Sequence, residues 1–467
     1  MMAATYESMD RLKDGLRGIL EISGSDVRVL NEEILRETLV DDLIFSTVFS
    51  PRQEIREAAG WLIRRAGAAL GIYSSSIQPL YEAMGRKKVS GFTVPAINIR
   101  ALTYDVAQAI LRAAMRGHVG LVIFEIARSE IGYTLQRPEE YTCAVTAAAI
   151  KTGYAGPLFL QGDHFQVNAK KFAIDPAKEV QAVKDLIWEA IEGGFYNIDI
   201  DTSTLVDLSR PTVREQQKIN YSLAAELTTL IRDLEPAGIT ISVGGEIGEV
   251  GGKNSTIEEL QSFMEGFNKE LEKSGEAHRG ISKISIQTGT THGGVPLADG
   301  SIAKVKLDFD TLEQLSEIAR RDYGMSGAVQ HGASTLPGEA FDKFPATGTA
   351  EVHLATGFQN IIYDSAHFPT TLRDEIYRYI KTELISERKD SDTEEQFLYK
   401  TRKKGFGPFK KDLWHLPEET RNAIGQELEK QFSILFTKLK VNNTSDIAKQ
   451  YITSIDVPLK LPDVLKV

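Results

Sequence analysis

The sequence predicts an α/β protein built as a (β/α)8 TIM barrel, with a helical extension at each end. Three observations carry this prediction. From about Val89, strand-like runs alternate with helix-like ones, the signature of βα repetition and a parallel sheet. Eight such units fit within residues 89–367, near the roughly 250 residues typical of this barrel. No glycine-rich phosphate fingerprint follows the first strand at Ile99, as a doubly wound open sheet would normally show.

Residues 1–88 form the first segment and read as helical. Val29, Leu30, Ile34, Leu35 and Leu39 recur at helical spacing, Pro51 interrupts, and Ile55–Leu70 resumes the pattern,. Eight strands are expected in the barrel segment: Phe92–Ile99, Gly120–Ile126, Pro157–Gly162, Tyr196–Asp201, Ile239–Ile247, Lys283–Thr288, Gly327–Gln330 and Thr349–Leu354. Helices between them carry start signals. Asp175 precedes a first-turn Pro176,, and Ser255–Glu259 contains a capping-box pattern,. The last segment, 368–467, reads as helical and charged. Its basic run Lys400–Lys411 is read as a solvated connection, the alternative being a loop that reaches over a site to meet phosphate.

A net charge of −11 argues against a nucleic-acid partner,. The single cysteine, Cys143, rules out an intramolecular disulfide framework and suits a reducing cytoplasm,. The opening residues hold no apolar signal core, and no run approaches the ~18 apolar residues of a membrane span,. A soluble cytoplasmic protein with no membrane partner is expected.

In such a barrel the chemistry gathers at the C-terminal ends of the strands. Strand three ends in Asp163-His164, strand four in Asp201-Thr202-Ser203, and strand five in Glu246–Gly252. Strand six ends in Thr288–Gly294, strand seven in His331–Ser334, and strand eight carries His353 and Thr356-Gly357. His164, His292 and His331 thus occupy three different strand ends, and the last two precede Gly293 and Gly332. Three converging imidazoles suit Zn²⁺ or another divalent ion with positions open for substrate. Small residues beside them let backbone N–H groups approach an anion.

The order Asp-His, Glu-Ile-Gly-x-x-Gly-Gly, Gly-Thr-x-His-Gly and His-Gly-x-Ser at these strand ends resembles the class II, metal-dependent fructose-bisphosphate aldolases and their tagatose-bisphosphate relatives, over about residues 89–365. The resemblance implies that His164, His292 and His331 hold the metal, with Glu246 as an alternative ligand. It implies that Asp163 exchanges a proton with the C4 oxygen and that Asp201 positions substrate and ligands. Gly293, Gly332, Ser334 and Thr356 would take a phosphate, and Asn98 matches the family's Asn on strand one. A phosphorylated sugar as substrate, a divalent metal with a monovalent cation as an optional second ion, and a homo-oligomer are implied as well.

The departures matter for substrate. Lys253-Asn254-Ser255 stands where the family has an acidic pair, His353 stands for an Asn, and Ala355 stands for an Asp. His353 and Lys253 are therefore candidate replacement acid-base or anion-binding groups. The reading is an aldolase acting on a ketose bisphosphate. The alternatives are an aldolase-like lyase for another sugar and a metal-binding barrel without catalysis. A Schiff-base mechanism needs a lysine in an apolar pocket; Lys283 begins its strand, at the wrong end, and Lys304 and Lys306 follow strand six.

Overall fold

The computed structural model describes residues 5–248, 253–274, 278–289 and 307–466. Eight parallel strands close into a barrel: β1 (Val94–Asn98), β2 (Ile123–Ala127), β3 (Gly156–Gln166), β4 (Asn197–Asp201), β5 (Ser242–Gly248), β6 (Lys283–Ile286), β7 (Ala328–Gln330) and β8 (Glu351–Leu354). Each pairs with its sequence neighbour, and β8 returns to β1 through Glu351↔Val94. Every expected strand is present. β3 runs four residues past its expected end at Gly162.

Helices flank the barrel as βα repetition requires. Asp175 accepts a hydrogen bond from the Lys178 N–H (3.1 Å) ahead of Pro176. Thr256 and Glu259 exchange capping bonds of 3.2 and 2.7 Å. Both start signals act as expected.

The inner face of the barrel is polar as well as packed. Lys283 on β6 donates to Gln161 on β3 (2.8 Å) and to Glu351 on β8 (2.5 Å), and it lies 3.0 Å from Asp199 on β4. None of β3, β4 and β8 neighbours β6, so the contacts cross the barrel interior. Gly244 on β5 makes room for them, because a Cβ there would lie 2.9 Å from Lys283 Cε. Gln161 also donates to Glu125 (2.9 Å) and Glu351 (2.8 Å). The segment before β1 seals the N-terminal end: Ile77 N–H binds Asn197 Oδ1 (2.9 Å), and the buried Tyr81 hydroxyl donates to Glu351.

The N-terminal segment is mainly helical with one exception. Leu20–Ser23 and Asp26–Val29 form an antiparallel hairpin turned at Gly24 (φ +62°). The helical spacing read from Val29 onward begins only at Glu32. A short strand, Ile72–Ser74, adds to the start of β3. In the helix Gln53–Ala69, Ile55, Ala58, Ala59, Leu62, Ile63 and Ala66 are all buried, and the helix packs on Pro138–Thr152. Each large apolar side chain buried this way stabilises by about 1.5–3 kcal/mol. The C-terminal helix Glu418–Lys438 lies along Thr103–Arg116 and is held by Arg112–Glu429 at 2.7 Å. The two extensions meet where Phe45 and Phe49 pack edge-on against Trp414.

Candidate active site

A regular strand points successive side chains to opposite faces, so Asp163 and His164 could not both enter the barrel from an undistorted β3. The pairing of β3 with β4 slips between Gly162 and Phe165, and His164 sits at φ +40°. This bulge turns both side chains inward. The left-handed conformation is uncommon for a non-glycine residue and clusters at functional sites. Gly162 is required beside it, since a Cβ there would lie 2.5 Å from the Phe165 ring.

Asp163 is the hub. Its Oδ2 accepts from Asn98 Nδ2 (2.8 Å). Its Oδ1 lies 3.8 Å from His164 Nε2, 3.9 Å from His331 Nδ1 and 3.2 Å from His353 Nδ1. That oxygen is buried and has no aligned hydrogen-bond partner among the described residues. The other face of His164 is occupied: Nδ1 lies 3.3 Å from Asp201 Oδ2 and 3.1 Å from Glu246 Oε2. His331 Nε2 pairs with Ser285 Oγ at 2.9 Å. The two rings stand 4.1 Å apart.

These donors fit a divalent ion. Asp163, His164 and His331 form one group able to hold a metal, and His164, Asp201 and Glu246 form a second. The 3.8 and 3.9 Å gaps are slightly wider than the ~3.3 Å between donors around a tetrahedral ion with ~2.0–2.1 Å bonds. In the first arrangement Asp201 and Glu246 receive the second ring nitrogen of His164, a partner that metal-bound histidines regularly have.

The electrostatics follow from burial against pairing. Burial opposes charge on Asp163, yet His164, His353 and His331 hold its carboxyl well below the usual carboxylate range. Burial and Asp201 push Glu246 up to about 7, with His164 acting against them. Burial lowers the proton affinity of His164, but Asp163 and Glu246 outweigh it and raise it well above an ordinary imidazole.

Above this floor opens a cavity of about 510 Å³. Gly332, Ser334 and Thr356 line it, as does Asn98. Ser334 Oγ accepts from the Gly357 N–H (3.1 Å), and Thr356 Oγ1 accepts from Arg100 (3.2 Å). His353 lies at the floor, with Nδ1 3.1 Å from Glu125 and Nε2 2.7 Å from Glu351. His292 and Gly293 lie outside the described residues. Lys253 does not line the cavity; it is exposed, 3.6 Å from Glu259.

Three cations on the wall were not anticipated, Arg100, Arg128 and Lys171, and a fourth, Lys403, comes from the basic run for which reaching over a site was the alternative reading. Arg100 and Arg128 follow β1 and β2, so the strand-end rule that found the histidines applies to them equally. Arg128 is anchored by Gln166 O (2.6 Å) and Glu179 (2.5 Å). Lys403 corrects the reading of Lys400–Lys411 as a solvated connection, because the run places this side chain in the cavity. Burial and the neighbouring Arg100 lower its proton affinity. Its neighbour Arg402 is buried on Asp364 and Asn360.

Comparison with known proteins adds the lineage. The family described as fructose-bisphosphate aldolase class-II matches residues 79–435. The chain belongs to this family. Three solved structures are similar to it at low identity. A native fructuronate-tagaturonate epimerase UxaE from Cohnella laeviribosi is 13% identical, with TM-score 0.55, covering 92% of this chain and 90% of its own. A probable tagatose 6 phosphate kinase from Sinorhizobium meliloti 1021 is 18% identical, with TM-score 0.53, covering 77% and 99%. A fructose-bisphosphate aldolase from Campylobacter jejuni is 17% identical, with TM-score 0.48, covering 80% and 97%. The first two share the fold of this class II aldolase-family chain. No curated protein matches it. No helix among the described residues is long and apolar enough to cross a membrane.

Proposed function

We propose that this aldolase-family enzyme is a metal-dependent lyase that cleaves and re-forms the C3–C4 bond of a phosphorylated ketose, such as fructose or tagatose 1,6-bisphosphate. The observation that carries the reading is the Asp163 carboxylate, held ionised between His164 and His331 on the floor of a cavity with a basic wall. A structural metal site has no use for such a wall.

Breaking the bond leaves negative charge on the ketone fragment. His164 and His331, with His292 as the expected third ligand, would hold a divalent ion, which when bound would give Lewis-acid stabilisation of that charge worth roughly several kcal/mol. Asp163 takes the proton from the C4 hydroxyl in cleavage and returns it in condensation. Asn98 fixes the orientation of that carboxylate from one side, and His353 does so from below. Asp201 and Glu246 hold His164 by its Nδ1, so that Nε2 faces Asp163. Gly332, Ser334, Thr356 and the expected Gly293 take one phosphate. Arg100, Arg128, Lys171 and Lys403 supply attraction for the remaining anionic group. Binding energy from these remote groups orients the reacting carbon.

The test is a cleavage assay on fructose 1,6-bisphosphate, run before chelation, after it, and after Zn²⁺ is restored. Tagatose 1,6-bisphosphate and the non-phosphorylated ketoses are assayed beside it. Activity on a bisphosphate that vanishes on chelation and returns with metal is expected. Bound metal without turnover of any of these sugars would move the chain to the altered-lyase or non-catalytic reading.

A further inference from the structure

We propose that Glu130 is a positioning residue that locks the Asn98 amide, and through it Asp163, in one orientation. The effect on turnover rests on the aldolase reading above; the geometry does not. Glu130 is 3% exposed, in the helix Arg128–Thr134 that follows β2. Its Oε2 accepts from Asn98 Nδ2 (2.9 Å) and from the Ala127 N–H (3.0 Å), and its Oε1 accepts from Arg100 Nε (2.6 Å). The same Asn98 nitrogen donates at 2.8 Å to Asp163 Oδ2.

An asparagine amide has two N–H donors and one carbonyl acceptor. Here both donors are committed, each to a carboxylate. A flipped amide would set its oxygen against two carboxylate oxygens, so the identity of the bridging atom is dictated by chemistry. Two consequences follow. The Asn98 carbonyl oxygen is left as an acceptor on a residue that lines the cavity, suited to a hydroxyl of the bound sugar. Asp163 is pinned by Oδ2, which leaves Oδ1 toward His164 and His331. Two carboxylates around one amide repel each other, and Arg100 offsets this. Its guanidinium lies against Glu130 and is itself held by Thr356 and Gln359 (2.9 Å).

If Glu130 served only to start its helix and pair with Arg100, only the Asn98 N–H that reaches Asp163 would be held and the other would exchange faster, which gives a measurement that needs no substrate. Selective ¹⁵N-asparagine labelling of the intact chain, with N98A assigning the signal, reports side-chain amide exchange. Both Asn98 protons should exchange at least ~10-fold more slowly than those of exposed asparagines, as hydrogen bonds to charged acceptors require. Exchange of either one at the exposed rate would overturn the proposal. It needs only the wild-type chain beside N98A, so it decides even where a Glu130 variant fails to fold.

Turnover gives a second readout. Glu130→Ala should lower kcat about 100-fold through misplacement of the reacting groups, with a smaller change in KM. The double variant with N98A should fall no further than N98A alone. Losses that multiply would mean that Glu130 acts elsewhere. A wild-type chain that cleaves no sugar would sink the aldolase reading, while the amide exchange would still decide the role of Glu130.

Discussion

The barrel carries two charged layers two residues apart along the same strands, and they are neutralised in different ways. The lower layer holds Glu125, Gln161, Asp199, Lys283 and Glu351; the upper holds Asp163, Asp201, Glu246 and Ser285, with His164 and His331 among them. Below, Lys283 reaches Asp199 and Glu351, Gln161 donates to Glu125 and Glu351, and the His353 ring lies against Glu125 and Glu351 from above. Above, no lysine or arginine among the described residues forms an ion pair with Asp163, Asp201 or Glu246; imidazoles face them instead. The lower carboxylates thus have a cation of the chain itself beside them, although Glu125 with Asp163 and His353, and Asp199 with Glu351 and His353, are also spaced to hold a metal. The carboxylates and imidazoles under the open cavity are spaced to take a cation from outside.

Substitutions can break that contrast. The largest effect is expected from His331→Ala, which should remove bound metal and lower activity by roughly 10³-fold or more, as the loss of several kcal/mol of charge stabilisation implies. Metal analysis and the cleavage assay on the same preparation check both halves. Asp163→Asn should cost about 10²–10⁴ in kcat, the usual range for a general acid-base. The amide oxygen would stay on the Asn98 N–H and the NH₂ would face the imidazoles,, so bound metal should be largely retained only because the histidines hold it.

The lower layer should respond in stability. Lys283→Met leaves Asp199 and Glu351 buried without their counter-ion, an expected loss of about 3–5 kcal/mol in urea unfolding. Where the variant folds, its metal content should match wild type.

The smallest effect is a pH dependence of the metal-free protein. Glu246, pushed up to about 7 from 4.5, binds its proton more tightly folded than unfolded. As pH rises from 4.5 to 7 the unfolded chain ionises first, so stability is lost across that window. Glu125, pushed up to about 8, acts in the same direction. Thermal unfolding of chelated protein should show Tm falling from pH 5 to 8, and Glu246→Gln should shrink the fall.

What could be read without coordinates follows the same division. The strands were legible because each is an apolar or β-branched run bounded by glycine, proline or a polar cluster. The gathering of Asp163, His164, Asp201, Glu246 and His331 was legible because histidine and acid residues recur at strand ends, where barrel chemistry sits, while His292 lies outside the described residues,. Lys283 was placed at the start of its strand correctly, yet nothing local shows that Gly244 on β5 leaves space for it inside. The bulge at His164 depends on φ, to which residue identity is nearly blind. Lys403 reaches the cavity from some three hundred residues beyond β1, a distance at which sequence spacing carries no geometry. The hairpin at Leu20–Val29 could have been found, since Ser-Gly-Ser separates two short alternating runs.

The central claim is that the upper layer binds one catalytic divalent ion. Its most direct test is elemental analysis of the purified wild-type chain beside His164→Ala, after equilibration with Zn²⁺ and removal of excess. The account predicts about one tightly held equivalent in the wild type, as a single catalytic zinc site requires, and none in the variant. Equal metal in both, or none in either, would contradict it.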